Sequence, residues 1–514
     1  MALLTSLGFL VSLCRLAIAL QVYAGPTPDL SSTPFGYAEA STGGSTNQSA
    51  IYVASTLAEL KEAVELPYSK TVYVNGTIHG NELADGSLAD CQTYIDTTGS
   101  DGSAVRQFNF TLYILSLNST YTSLVDAAAE AGEPFEGRNA TEYRELLGHQ
   151  NGWRPVVVAT QKAQVGLRLT NNTSIIGLDQ SAALDGVNLY LSSVDNVWVR
   201  NLKLVSPADC FPAPETFPSS WNAEFDAVGL VTSTNVWVDG CELQDQLSGE
   251  YVVPDEIDGW QVDRFDGKLE LTAHKCMTEV VPFTGLFDCE DGTDNVTFSH
   301  NIIRNHHKSL LIGGGTKEAD RDLGKMHFTI FGNHFNNSAS RNPLMRFGTF
   351  DITSNLYSYT NDAEPLFDTD STTSANITGD LTSRATAPAD AVFQYNLGVY
   401  NQSTVHVRAN AFVATGAHAD DASRLFTISE ATLPERPARV CVDAGVESTL
   451  NGGVVDMGSV ANATVDYFVG EGRAVEGAVL VTCEGVAEEG YELPVTLTSG
   501  KDVEDYVLAN AGQV

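Results

Sequence analysis

Positive charge is scarce in this chain. There are 28 Lys and Arg against 65 Asp and Glu, a net charge of −37 over 514 residues. So acidic a balance argues against nucleic acid or an anionic membrane as the main partner. It leaves room for an anionic substrate, because a few local cations suffice to hold one. After the N-terminal segment no apolar run reaches the roughly 18 residues of a membrane span. No CxxC or Cys/His spacing suggests zinc. Long helical periodicity is missing after Gly166, which excludes repeated strand–helix–strand units.

Met1 to Leu20 is apolar and reads as a secretory signal, with small-residue cleavage options after Ala19 and Ala24. The expectation is a secreted, extracellular chain with no membrane attachment after cleavage. Twelve Asn-X-Ser/Thr sequons, from Asn47 to Asn462, fit a glycosylated secretory protein. Cys14 lies in the signal. The mature chain keeps Cys91, Cys210, Cys241, Cys276, Cys289, Cys441 and Cys483, an odd number that leaves a thiol unpaired.

Thr56-Leu-Ala-Glu59 has the pattern of a capping box, opening a helix with Leu57, Leu60, Ala63 and Val64 on one face. Residues 80–160 read as a long, polar, irregular insertion with one helix near Tyr121–Ala131. From Gly166 short apolar runs alternate with Asn, Asp, Gly and Ser. Asn196-Val-Trp-Val-Arg-Asn resembles Asn235-Val-Trp-Val-Asp-Gly, and Asn295-Val-Thr-Phe-Ser-His-Asn follows the same plan. Runs ending at Asn333, Asn355 and Asn410 repeat it, with Asn333 and Asn355 22 residues apart. Strand, turn Asn, strand at this period predicts an all-β parallel β-helix over residues 25–429, and the family resemblance given below implies that it is right-handed. The turn Asn tolerates left-handed backbone and can bond its stacked neighbour. The helix at Thr56 would cap the open end of the stack. Residues 430–514 are expected to form a small β appendage closed by Cys441–Cys483.

Four clusters carry the chemistry. Trp221-Asn-Ala-Glu224-Phe-Asp226 puts two carboxylates at i and i+2, on one face of a strand. Asp288 lies in Leu286-Phe-Asp-Cys-Glu-Asp-Gly. Lys308 follows the pair His306-His307, which lacks a third metal ligand by spacing. Arg341 and Arg346 share Ser340-Arg-Asn-Pro-Leu-Met-Arg-Phe-Gly. Asp239 reads as a turn residue and Trp237 as packing. Coils of a β-helix stack about 4.8 Å apart, so these clusters can line one groove. Hard oxygen donors suited to Ca²⁺ are then followed, in stacking order, by three cations.

These motifs resemble the pectate lyases of polysaccharide lyase family 1. The matching features are Gly36-Tyr-Ala, Thr56-Leu-Ala-Glu-Leu, Asp209-Cys-Phe-Pro, Trp221-Asn-Ala-Glu-Phe-Asp, Asn235-Val-Trp-Val-Asp, Lys308-Ser-Leu-Leu-Ile-Gly and Arg341-Asn-Pro-Leu-Met-Arg-Phe-Gly. They span roughly residues 35–360. Gly240 stands where the family usually has His. The resemblance implies a monomer that cleaves polygalacturonate by Ca²⁺-dependent β-elimination. It matches Glu224, Asp226 and Asp288 to calcium-ligand carboxylates, Arg341 to the catalytic base, and Lys308 and Arg346 to substrate-carboxylate contacts. Alternative readings are a pectin lyase acting on esterified chains, and a non-catalytic β-helix that binds wall polysaccharide.

One stretch departs from the family pattern. The family expects Asp-Gly-Leu-Leu-Asp or close to it, but Thr284 stands four residues before Asp288. Deleting Lys268–Gly285 joins Asp266-Gly267 to Leu286-Phe287-Asp288 and restores the motif, with Asp266 as a further calcium ligand. Eighteen residues preserve the reading frame, and both junctions can encode splice-site dinucleotides. Removal also takes out Cys276, leaving an even cysteine count. Lys268–Gly285 therefore reads as a retained intron or an insertion of that origin.

Overall fold

The computed structural model describes residues 20–100, 102–217, 220–244, 286–367, 393–428, 436–443, 445–486 and 490–514. The signal segment 1–19, Asp266 and Lys268–Gly285 lie outside the described residues. Within them the chain winds into a right-handed parallel β-helix with three long sheets of twelve, ten and eight strands. Each coil gives one strand to each sheet. Neighbouring strands within a sheet come from successive coils, almost all parallel. The interior is a continuous apolar column, in which Phe335, Tyr357 and Phe412 stack with ring centroids 4.9 and 4.7 Å apart.

The Asn repeat is a hydrogen-bonded ladder. Asn301 Nδ2 donates to Asn333 Oδ1 at 3.1 Å, Asn333 to Asn355 at 3.0 Å, and Asn355 to Asn410 at 3.2 Å. All four are fully buried. Each rung oxygen also accepts the backbone N–H of the Asn one coil earlier. The left-handed backbone falls one residue earlier than the sequence suggests, on His300, Gly332, Ser354 and Ala409. The ladder Asn is selected for its amide, and the residue before it takes the bend.

The helix α1 (Leu57–Val64) has the expected capping box between Thr56 and Glu59, and Leu57, Leu60, Ala63 and Val64 are its buried face. It covers one end of the column. The 80–160 segment differs from the irregular insertion expected. It holds α2 (Cys91–Thr98), α3 (Phe110–Leu117), α4 (Ser119–Ala131) and α5 (Ala140–Val165). These helices bury a core of their own, with Tyr94, Phe108, Tyr113, Val157 and Val158 packed around Phe211. Asn109, Asn118 and Asn139 cap three of them by accepting backbone N–H groups. The polar residues read as loop are thus helix N-caps and solvent faces.

The tail differs as well. Ala438–Val442 and Val479–Val481 extend the twelve-stranded sheet in parallel, and two helices, Met457–Gly470 and Gly500–Asn510, pack alongside. The expected Cys441–Cys483 disulfide forms, and a second joins Cys91 to Cys210. Cys241 and Cys289 are free and buried. Two thiols stay reduced inside the column, so an even cysteine count gives no support for removing Cys276.

Trp237 is packed as expected, but Asp239 is no turn residue. Its buried carboxylate accepts from Arg200 at 2.8 Å, Ser299 at 2.8 Å and Ser32 at 3.0 Å, and pairs with His300 Nδ1 at 2.9 Å. Arg200 lies over the Trp237 ring at 4.1 Å. His300 reaches Tyr506 on the last helix at 3.0 Å. This network ties Ser32 and the last helix to one face of the stack. His300 stands one coil beyond Gly240, after the register pair Asp239–Ser299.

Candidate active site

The eight-stranded sheet carries the site. Val228–Val231, Phe287–Glu290, Leu310–Ile312 and Leu344–Met345 lie side by side, with Gly229 in register with Asp288 and Asp288 with Leu311. Asp226 enters the first of these strands, and its backbone oxygen accepts from Asn188 Nδ2 at 2.8 Å. Gly229 lies beside Asp226, whose Oδ2 would stand at an ordinary contact distance of 3.5 Å from a Cβ at that position. Asp226 and Asp288 both act electrostatically on Cys289, whose thiol burial holds well above its ordinary range. Two oxygen-only donors on adjacent coils, beside a glycine, suit a hard divalent cation.

Asp288 is buried, and burial pushes its carboxyl up to about 6. Arg341 and His306 pull it back down, and Glu290 adds to the rise. Its Oδ1 accepts the Leu311 N–H at 3.3 Å. A desolvated carboxylate so placed favours a cationic partner.

The cations arrive from the neighbouring strands. In the adjoining sheet Lys308 pairs in register with Ser340, and His306 with Ser338. The chain then leaves the strand at Arg341, whose backbone is left-handed with φ +58°, just before the cis Asn342–Pro343 bond. The Arg341 carbonyl is held by the Leu310 N–H at 2.8 Å. A non-glycine residue in this conformation costs on the order of 1 kcal/mol and is common where a side chain must be aimed. Tyr395 interacts through its hydroxyl with the Arg341 side chain, and burial raises the Tyr395 pKa. Arg346 donates to the Gly313 carbonyl at 2.6 Å and lies 5.1 Å from the centre of the Tyr400 ring. Burial lowers its pKa, and Arg341 adds to that. Lys308 is exposed. His307 lies between these groups. Burial, then Lys308, His306 and Arg341, hold its pKa down to about 3, so its ring is neutral.

Asp226, Asp288, Lys308, Arg341 and Arg346 thus meet along one edge of the stack. Glu224 stands apart from them in one respect: its Oε1 lies 2.6 Å from Lys162 Nζ, on α5. The loop bearing Glu224 is held by Asp209, whose motif the sequence singled out without giving the residue a role. Asp209, buried, accepts the Phe211 N–H at 2.7 Å and the Glu224 N–H at 3.0 Å. Burial raises its pKa to about 6 against these bonds. The signal for Asp209 was present in Asp209-Cys-Phe-Pro, where an Asp two residues before an N–H forms an Asx turn.

A parallel β-helix with carboxylates and cations on successive coils of two adjoining sheets defines the class of protein. Within it the chain belongs to the pectate lyase family, whose model matches residues 154–424, more than half of the sequence. Pectate lyase A of Dickeya chrysanthemi is 26% identical over 366 residues, covering 70% of this chain and 76% of that protein. Pectate lyase E of the same organism is 28% identical over 247 residues, 45% of this chain and 58% of its own length. The solved structure of a pectate lyase from Acidovorax avenae subsp. citrulli superposes with a TM-score of 0.66 at 18% identity, covering 99% of each chain.

Proposed function

We propose that the chain is a secreted pectate lyase that cleaves polygalacturonate by β-elimination, with Ca²⁺ as its cofactor. The observation that carries this reading is the convergence of Asp288, Lys308, Arg341 and Arg346 on adjoining strands. Elimination removes the proton at C5 beside the uronate carboxylate. The C–H electron pair becomes the C4=C5 double bond, the C4–O bond breaks, and the leaving oxygen takes up a proton. Charge builds on the carboxylate side as the proton leaves, and fixed cations there lower the barrier. Lys308 supplies an exposed, mobile cation for the substrate carboxylate. Arg346, pinned by Gly313 and Tyr400, supplies a fixed one. Arg341 is the base. A guanidinium is almost wholly protonated at ordinary pH, so this role requires crowding by other cations and an alkaline optimum. Asp226, Asp288 and Asp266, with Glu224, would hold Ca²⁺, which when bound neutralises the uronate and acidifies its C5 proton.

Secretion rests on the N-terminal segment. Of the two cleavage options, Ala19 keeps Gln21–Val22, which pairs with Val53 and Tyr52. The deciding experiment follows the absorbance of the unsaturated product on polygalacturonate, with and without EDTA. Activity that EDTA abolishes and Ca²⁺ restores supports the reading. Binding of oligogalacturonate without unsaturated ends would replace it with a non-catalytic role, and preference for esterified chains without Ca²⁺ would indicate a pectin lyase.

A further inference from the structure

We infer that Arg168 and Tyr190 form a further subsite of the substrate groove, which holds a uronate unit on the coils before Asp288. This rests on the polygalacturonate reading above. The register of the eight-stranded sheet carries it. Gly166–Arg168 and Asn188–Ser192 are the first two strands of that sheet. Arg168 pairs with Tyr190, Tyr190 with Gly229, and Gly229 with Asp288. Residues paired in register face the same side of a sheet, so these four positions form one row on the outside of the stack.

The row is continuous. A Cβ on Gly229 would stand 3.5 Å from Asp226 Oδ2 and 3.6 Å from Tyr190 Cδ2. The Asp226 carboxylate and the Tyr190 ring therefore border the same bare position. The Arg168 guanidinium lies 5.6 Å from the centre of the Tyr190 ring. Arg168 is exposed and Tyr190 half-buried, while Leu167, Leu189 and Leu191 between them point into the core. In a chain with 65 acidic against 28 basic side chains, Arg168 makes no ion pair among the described residues.

Beyond Asp288 the row runs into Leu311 and Leu344, both buried. Lys308, Arg341 and Arg346 all come later in the winding than Asp288. Arg168 stands on the opposite side, three coils before Asp288, about 14 Å at roughly 4.8 Å per coil. A guanidinium suits a uronate carboxylate, which it can hold by two parallel N–H bonds. A tyrosine ring offers an apolar face to a pyranose. A substrate held by the later cations runs past Gly229 and over Tyr190 to reach Arg168. One pyranose unit is about as long as one coil spacing, so a productively bound trimer falls short of Arg168 and a hexamer reaches it.

The test is steady-state kinetics of the full chain on trigalacturonate and hexagalacturonate, read by unsaturated-product absorbance. Arg168→Gln should raise KM for the hexamer about threefold to fivefold, the size of an exposed ion pair. The loss should fall on KM rather than kcat, as for uniform binding, and be confined to the hexamer. Tyr190→Ala should act by a similar factor, and Tyr190→Phe should stay near wild type. Melting temperatures of wild type and Arg168→Gln should agree, because the side chain is exposed. An unchanged hexamer KM in folded Arg168→Gln, or an equal rise on both substrates, overturns the subsite and leaves the lyase reading standing. If wild type makes no unsaturated product, the catalytic reading fails and calorimetric binding of hexagalacturonate decides the subsite. Weaker binding by Arg168→Gln then supports it, equal binding overturns it, and no binding by wild type overturns both.

Discussion

Lys308 stands in register with Ser340, the residue immediately before Arg341. The pairing is set by the stacking of coils, so the spacing of the two cations is fixed by the backbone. Arg341→Lys keeps the charge but loses the planar fork and the geometry that meets Tyr395. We expect a loss of at least about a hundredfold in kcat, with melting temperature unchanged within a degree or two. Unsaturated-product absorbance on polygalacturonate checks it. Near-full activity of Arg341→Lys would remove Arg341 from the role of base.

The Asn ladder gives a stability prediction. Asn355 accepts both the backbone N–H and the side-chain amide of Asn333, and donates to Asn410 and the Ile330 carbonyl. Replacing it by Ala leaves several buried groups without partners. A buried donor or acceptor so stranded costs about 1–3 kcal/mol, so Asn355→Ala should lose at least about 2 kcal/mol by urea unfolding. A change under half of that would mean the ladder is redundant with the sheets.

Two histidines give a pH prediction. Burial lowers His334 to about 4, with Arg304 adding to it, and lowers His307 to about 3. An unfolded His titrates near 6.5. Between these values the unfolded chain binds the more protons, so the neutral rings contribute stability above about pH 6.5 that is lost as pH falls toward 4. The ring C2–H signals of both should show no titration between pH 8 and 5. A midpoint near 6.5 for either would place that ring in water. His334→Gln should flatten part of the acid loss seen in wild type.

Most of the fold was legible because its signals are local and repeated. The capping box at Thr56 and the Asn at 333, 355 and 410 are each decided by neighbouring residues. The helical insertion was harder to read. Its helices are short or carry a mixed pattern, and α5 includes Gly148, Gly152 and Pro155, which break up periodicity. Its partners, Phe211 and Cys210, lie far along the chain. The sequence singled out Asp226, Asp288, Lys308, Arg341 and Arg346 because each sits in a dense motif. Lys162, which pairs with Glu224, sits in none, because that contact depends on which loop α5 packs against. Asp239 was misread for the same reason, since its partners Arg200 and His300 come from the coils on either side.

The last prediction concerns Lys268–Gly285. Without this segment, Asp266 and Asp288 are four residues apart in Asp-Gly-Leu-Phe-Asp. Such spacing puts two carboxylates on one strand face, beside Asp226 on the coil before. With it, Asp266 and Asp288 are separated by twenty-one intervening residues. The cysteine count does not decide between the forms, because Cys241 and Cys289 stay free and buried. Cation binding does. A hard divalent ion gains with each added carboxylate, so a variant lacking residues 268–285 should bind Ca²⁺ at least about tenfold tighter than the 514-residue chain, about 1.4 kcal/mol, and cleave polygalacturonate at lower Ca²⁺. Transcript sequencing across codons 260–290 should show the shorter form. Equal Ca²⁺ affinity of the two proteins, with only the longer transcript present, would make the segment a genuine loop and remove Asp266 from the ligand set.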